Sequence, residues 1–311
     1  MGLLVNGEWK DRWYDTAESS GRFVRQDSRF RSKVTRDGSS PFPAEAGRYH
    51  LYVAWACPWA HRTLIVRALK GLTDIISASF VGPDMLSEGW QFDDTHPDHL
   101  FGHERLYQLY AQAAPDYTGR VTVPVLWDKQ TNTLVNNESA EIIRMFNTAF
   151  TDLAAPLDDT DLYPAHLRAE IDAINDVIYR TINNGVYRAG FATTQTAYDE
   201  AVAELFESLD AMEARLAGQA WLVGGQPTEA DWRLLPTLLR FDAVYHHHFK
   251  CSLRRLRDYP ALWAYTKRLY QRPGIAETFN MTETRRHYFY SHESINPHRV
   301  IPIAPDFDLS G

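Results

Sequence analysis

Cysteine is scarce in this sequence: Cys57 and Cys251 are the only two among 311 residues. A disulfide framework needs more, so the thiol count fits a reducing compartment. A basic surplus is also missing. Lysine and arginine number 32 against 40 aspartate and glutamate, a formal charge of −8. Nothing is left over to neutralise phosphates, which excludes nucleic acid as an expected partner. No stretch reaches the ~18 uninterrupted apolar residues of a membrane helix, so no membrane partner is expected. The opening residues are acidic and aromatic where a secretory signal has a basic end and an apolar run. Asn6 stands where a myristoylation motif wants Ser or Thr. The expected location is the cytoplasm.

Apolar residues make up 44% and charged residues 23%, the balance of a packed chain long enough for two domains. Aromatic side chains are plentiful, with nine Trp, sixteen Tyr and fifteen Phe. Such rings either fill a core or line a site for a flat substrate.

Residues 1–47 are polar and rich in Ser, Arg and Asp, and read as an extended arm with little regular structure. The texture changes at residue 48. Tyr49–Ala54 has the pattern of a buried strand, Pro58–Leu69 that of a helix with proline in its first turn, and Ile75–Val81 that of a second strand. This is a βαβ unit, which calls for a parallel pair. An aperiodic insertion at 82–102, a short helix at His103–Ala113, strands at Val123–Asp128 and Thr133–Val135, and a helix from Ser139 complete the order β-α-β-α-β-β-α. That order is thioredoxin-like and covers 48–150. Residues 151–163 read as a linker, and 164–284 as wholly helical. There Leu167, Ile171, Ile174, Ile178 and Ile182 recur at helical steps, and Thr228 with Asp231 has the spacing of a capping box. The final segment, 285–311, is rich in His, Tyr and Pro and is expected to run extended over the surface.

Cys57 lies between a strand and a helix that begins at Pro58, so its sulfur is expected at a helix N-terminus. Unpaired N–H groups and the macrodipole there favour a thiolate and make it a nucleophile. The competing view is a buried structural thiol. A dithiol pair would need a second cysteine at Ala60, so a reactive Cys57 would form a mixed disulfide that an outside thiol resolves. Val123-Pro124 precedes a strand, where a cis bond would free backbone groups for a peptide-like ligand and a trans one would be an ordinary edge proline. Glu138 and Ser139 open a helix. They suit an amino-acid head group, and equally a plain cap. His246–His248 are adjacent, and neighbouring helical side chains diverge, so they cannot chelate one ion. No metal is expected. Cys251 reads as a partly buried bystander.

Cys57-Pro58-Trp59-Ala60-His61-Arg62, the Thr228–Asp231 capping box, Gly89-Trp90-Gln91-Phe92, Asn183-Asn184-Gly185-Val186-Tyr187, and Arg286-His287-Tyr288 through Ile295-Asn296-Pro297 point to one group. The chain resembles the glutathione transferase superfamily over nearly its whole length, and within it the glutathionyl-hydroquinone reductases, also called the Xi class. The resemblance implies an α/β thioredoxin-like N-terminal domain, an all-α C-terminal domain and a homodimer formed through the helical half. It implies Cys57 as the nucleophile, and Trp90, Arg120, Val123, Glu138 and Ser139 as the residues that hold glutathione, Val123 through its backbone. Tyr187 and Tyr288 are implied to flank the hydroquinone ring and handle its proton. Glutathione would be a co-substrate, with no tightly bound cofactor, and the substrate a glutathionyl-hydroquinone.

Two other functions fit parts of the pattern. An omega-like thioltransferase or dehydroascorbate reductase would use Cys57 but would not need the two tyrosines. A non-catalytic glutathione-fold binding module would not need the reactive thiol.

Overall fold

The computed structural model describes residues 2–303 and Leu309. The chain divides into two compact units that interleave in sequence. The first comprises Met1–Trp13, Gln26–Asp159 and Glu277–His287, and the second Tyr14–Arg25, Thr160–Ala276 and Tyr288–Gly311.

In the first unit, Tyr49–Val53 is buried at every position because neighbours cover both faces. It pairs in parallel with Ser77–Phe80, with Val53 opposite Phe80. On its other side it pairs antiparallel with Val125–Asp128, which pairs in turn with Thr133–Asn136. The helices Pro58–Leu69 and Ser139–Thr148 pack against each other. This is the thioredoxin-like arrangement expected from the element order, and the Val123–Pro124 bond is cis.

The arm departs from the extended reading. Leu3–Val5 and Glu8–Lys10 form a hairpin, and Leu3 pairs with Arg120 on a third strand, Gly119–Arg120. Asn6 and Gly7 take positive φ at its turn. Asn-Gly is the strongest short-range hairpin signal, and here it outweighs the polar composition around it. Leu3 and Leu4 are buried.

The far end also departs. Met281–Ser291 is a helix, where extended chain was expected from 285. Asn280 starts it, its Oδ1 accepting from the Glu283 N–H at 3.0 Å, while its side-chain amide donates to the Glu283 carboxylate at 3.3 Å. That side-chain N-terminal cap lies just upstream of the segment whose composition suggested an extended tail. Part of the tail falls outside the described residues.

The second unit is helical. Arg168–Val177 continues through a wider π-type turn at Ile178–Asn183 into Gly185–Gly190, and is followed by Gln195–Gly218, Glu229–Arg240 and Pro260–Tyr270. The Thr228–Asp231 box is present. Asp231 is fully buried and accepts from the backbone N–H groups of Thr228 and Leu222 and from the Tyr265 hydroxyl. Among the described residues no helix is long and apolar enough to cross a membrane. None of their His, Cys, Asp and Glu side chains cluster in threes to hold a metal.

Candidate active site

Cys57 is the N-cap residue of Pro58–Leu69, and its Sγ accepts the Ala60 N–H at 3.5 Å. The thiol can also donate to the Val123 carbonyl, again at 3.5 Å. Cys57 is half-buried. Strand end, cis bond and helix start thus bring Cys57 and Val123 together across 66 residues of sequence. Cys251 contrasts with it. It is fully buried, its S–H donates to the Phe249 carbonyl, and burial pushes its thiol far up from the ordinary value.

Glu138 is the N-cap of Ser139–Thr148, with its Oε1 accepting from the Ala140 N–H at 3.1 Å. Its own N–H donates to Asn136 Oδ1, and the Ser28 hydroxyl reaches its other oxygen. Ser139 accepts from Arg62, a guanidinium that is itself buried and lies over the Trp59 ring at 4.6 Å. A buried cation behind a helix N-terminus makes this corner favourable to a carboxylate.

Trp90 is buried and stacks on His287 at 4.8 Å, a ring oriented by its Nδ1–H donating to the Pro83 carbonyl at 2.8 Å. Arg120, one of the expected glutathione residues, is buried, its guanidinium donates to the Arg12 carbonyl, and its backbone pairs with Leu3 of the N-terminal hairpin.

In the second unit the hydroxyls of Tyr187 and Tyr288 meet at 2.6 Å. A third tyrosine not foreseen in the sequence, Tyr245, reaches the Tyr288 hydroxyl at 3.1 Å. No spacing in the chain links it to the other two, because it arrives on the turn that follows Glu229–Arg240. Burial pushes the Tyr245 and Tyr288 phenols well above their ordinary value, so both hydroxyls stay protonated and can donate. Phe191 and Phe249 pack on Tyr187. The histidine run divides as helix geometry requires. Only His248 is buried, its ring paired with His292 at 3.1 Å.

A half-buried lone thiol at a helix N-terminus beside a cis-proline, in a thioredoxin-like fold, suits a protein that works through a mixed disulfide with an outside thiol. Two family matches agree: Glutathione S-transferase, N-terminal domain, over residues 56–149, and Glutathione S-transferase, C-terminal domain, over 195–268. The chain belongs to the glutathione S-transferase family, and within it to the Xi-class glutathionyl-hydroquinone reductase group. It is 52% identical to the glutathionyl-hydroquinone reductase PcpF of Sphingobium chlorophenolicum, over 100% of this chain and 98% of that one. It is 56% identical to the glutathionyl-hydroquinone reductase YqjG of Escherichia coli, over 99% and 97%. The Xi-class transferase from Natrialba magadii superposes with a TM-score of 0.93 at 48% identity, covering 100% of this chain and 95% of that one. The glutathione-bound structure of YqjG gives 0.90 at 52%, covering 99% and 97%.

Proposed function

We propose that this protein reduces glutathionyl-hydroquinones to hydroquinones with glutathione as co-substrate. Cys57 thiolate attacks the sulfur of the conjugate and an S–S bond forms. The C–S bond breaks, its electron pair stays with the ring, and the ring carbon takes a proton from a tyrosine hydroxyl. A second glutathione, ionising and so returning a proton, attacks the Cys57–glutathione disulfide and releases oxidised glutathione. Conjugate plus glutathione thus gives hydroquinone plus glutathione disulfide, with one thiol on the enzyme.

In this reading Glu138, Ser139, Arg120, Trp90 and the Val123 backbone hold glutathione, and Tyr187 and Tyr288 hold the ring. The observation that carries it is the 2.6 Å hydroxyl pair of Tyr187 and Tyr288, because an enzyme that only exchanged thiols would need no proton donor for carbon. The reading includes a cytoplasmic homodimer with no tightly bound cofactor.

The test is release of free hydroquinone from a glutathionyl conjugate, run beside dehydroascorbate. Turnover of the conjugate is expected; turnover of dehydroascorbate alone would select the omega-like reading.

A further inference from the structure

Residues 14–25 of the arm belong to the second unit, and they bring a cation to the tyrosines. The Arg25 guanidinium lies 5.0 Å from the centre of the Tyr187 ring and 5.4 Å from that of Phe23. Its Nε–H donates to Asn184 Oδ1 at 2.9 Å, and Asn184 immediately precedes the helix that carries Tyr187. Phe23 is buried and packs in turn on Phe191 at 5.4 Å. The guanidinium is therefore fixed by a hydrogen bond on one side and by two ring faces on the others.

We propose that Arg25 is a positioning residue for the proton-donating tyrosine: it holds the Tyr187 ring and stabilises the charge that develops there as the hydroxyl proton leaves. The inference rests on the functional reading above. A cation over a phenol ring is attracted by the ring quadrupole. When the O–H bond breaks, the negative charge spreads into the ring and the attraction grows. The contact is then stronger during proton transfer than before it, the condition for an interaction that raises kcat and not only affinity. Atoms balance as above: the Tyr187 proton goes to the ring carbon and is restored when the second glutathione ionises.

The arm does not depend on Arg25 for its position. Arg22 pairs with the Glu200 carboxylate through two N–H groups, and the Thr193 N–H donates to the Gly21 carbonyl at 3.0 Å. Variants at Arg25 are thus expected to fold.

The experiment compares R25Q and R25K with wild type on two substrates: a glutathionyl-hydroquinone, and the mixed disulfide of glutathione with 2-mercaptoethanol. The latter's leaving thiolate takes no proton to carbon. With the conjugate, R25Q is expected to lose about tenfold in kcat, with KM within about twofold, the size of a partly desolvated cation–π contact. R25K, which keeps the charge, should retain at least about half of kcat on the same scale. Both should reduce the mixed disulfide as wild type does. Wild-type turnover of the conjugate by R25Q, or a parallel loss by both variants on both substrates, would overturn the proposal. Wild type that reduces the mixed disulfide but releases no hydroquinone would instead overturn the functional reading, and this assignment with it.

Discussion

Tyr187 and Tyr288, 101 residues apart in sequence, share a hydroxyl–hydroxyl hydrogen bond of 2.6 Å. With Tyr245 they form a short buried chain of phenols, each able to donate and to accept. Because the partner hydroxyl remains when one is removed, neither Y187F nor Y288F should abolish the reaction. Each is expected to lower kcat/KM for a glutathionyl-hydroquinone by about 100-fold, the lower end of the range for a positioned proton donor. The double variant should fall further, and steady-state kinetics would show it. Unchanged kinetics in the double variant would remove both tyrosines from the mechanism.

The two thiols differ in exposure, and chemistry should follow. Brief treatment with iodoacetamide is expected to modify Cys57 and leave Cys251 intact, because Cys251 is fully buried and its thiol is held protonated. Mass spectrometry after mixing with the conjugate should find one glutathione, on Cys57. C57S should carry no adduct and turn over at least about a thousandfold more slowly, as expected for loss of an essential nucleophile. An adduct on Cys251 would contradict the assignment.

Glu138 and Ser139 stand at a helix N-terminus backed by the buried Arg62. S139A should raise KM for glutathione by about 10- to 150-fold, the worth of one hydrogen bond to a charged group, with little change in kcat. Isothermal titration with glutathione checks the same quantity. A loss confined to kcat would mean that Ser139 serves the chemistry and not binding.

Acid stability should depend on His50. Its ring is buried between the Ser77 and Ser79 hydroxyls, and burial drives its pKa down to about 3. In the unfolded chain the imidazole protonates near 6.5, so below that pH the unfolded state binds a proton that the folded state does not. The stability present above pH ~6.5 is therefore lost as pH falls towards 3, at up to about 1.4 kcal/mol per unit. The His50 ring signals in an NMR titration should stay at their neutral positions from pH 7.5 to 5, on the ordinary imidazole scale. Ordinary titration of that ring near 6.5 would refute the argument.

The Asp231 carboxylate is fully buried and closes the capping box while also accepting from Leu222 and Tyr265. D231A leaves several donors without a partner and should cost about 3 kcal/mol or more, read from denaturant unfolding. A shift below about 1 kcal/mol would mean that water replaces the carboxylate.

Local patterns were legible in the sequence because they depend on neighbours a few residues apart. Cys57 before Pro58 makes an N-cap wherever the chain folds, the strand–helix–strand order dictates a parallel pair, and Thr228 to Asp231 spans one helical turn. The Asn6-Gly7 hairpin and the Asn280–Glu283 cap carry local signals of the same kind, set within polar stretches that read as extended chain. Other relationships had no local signal. Tyr245 at the Tyr288 hydroxyl, Arg25 over the Tyr187 ring and Arg120 paired with Leu3 each join residues far apart in the chain. By itself the sequence determined the thiol at a helix N-terminus and the scaffold that presents it. Only the tertiary structure decided which hydroxyls and cations meet, because those contacts follow from how whole helices and the arm pack and not from the residues beside them.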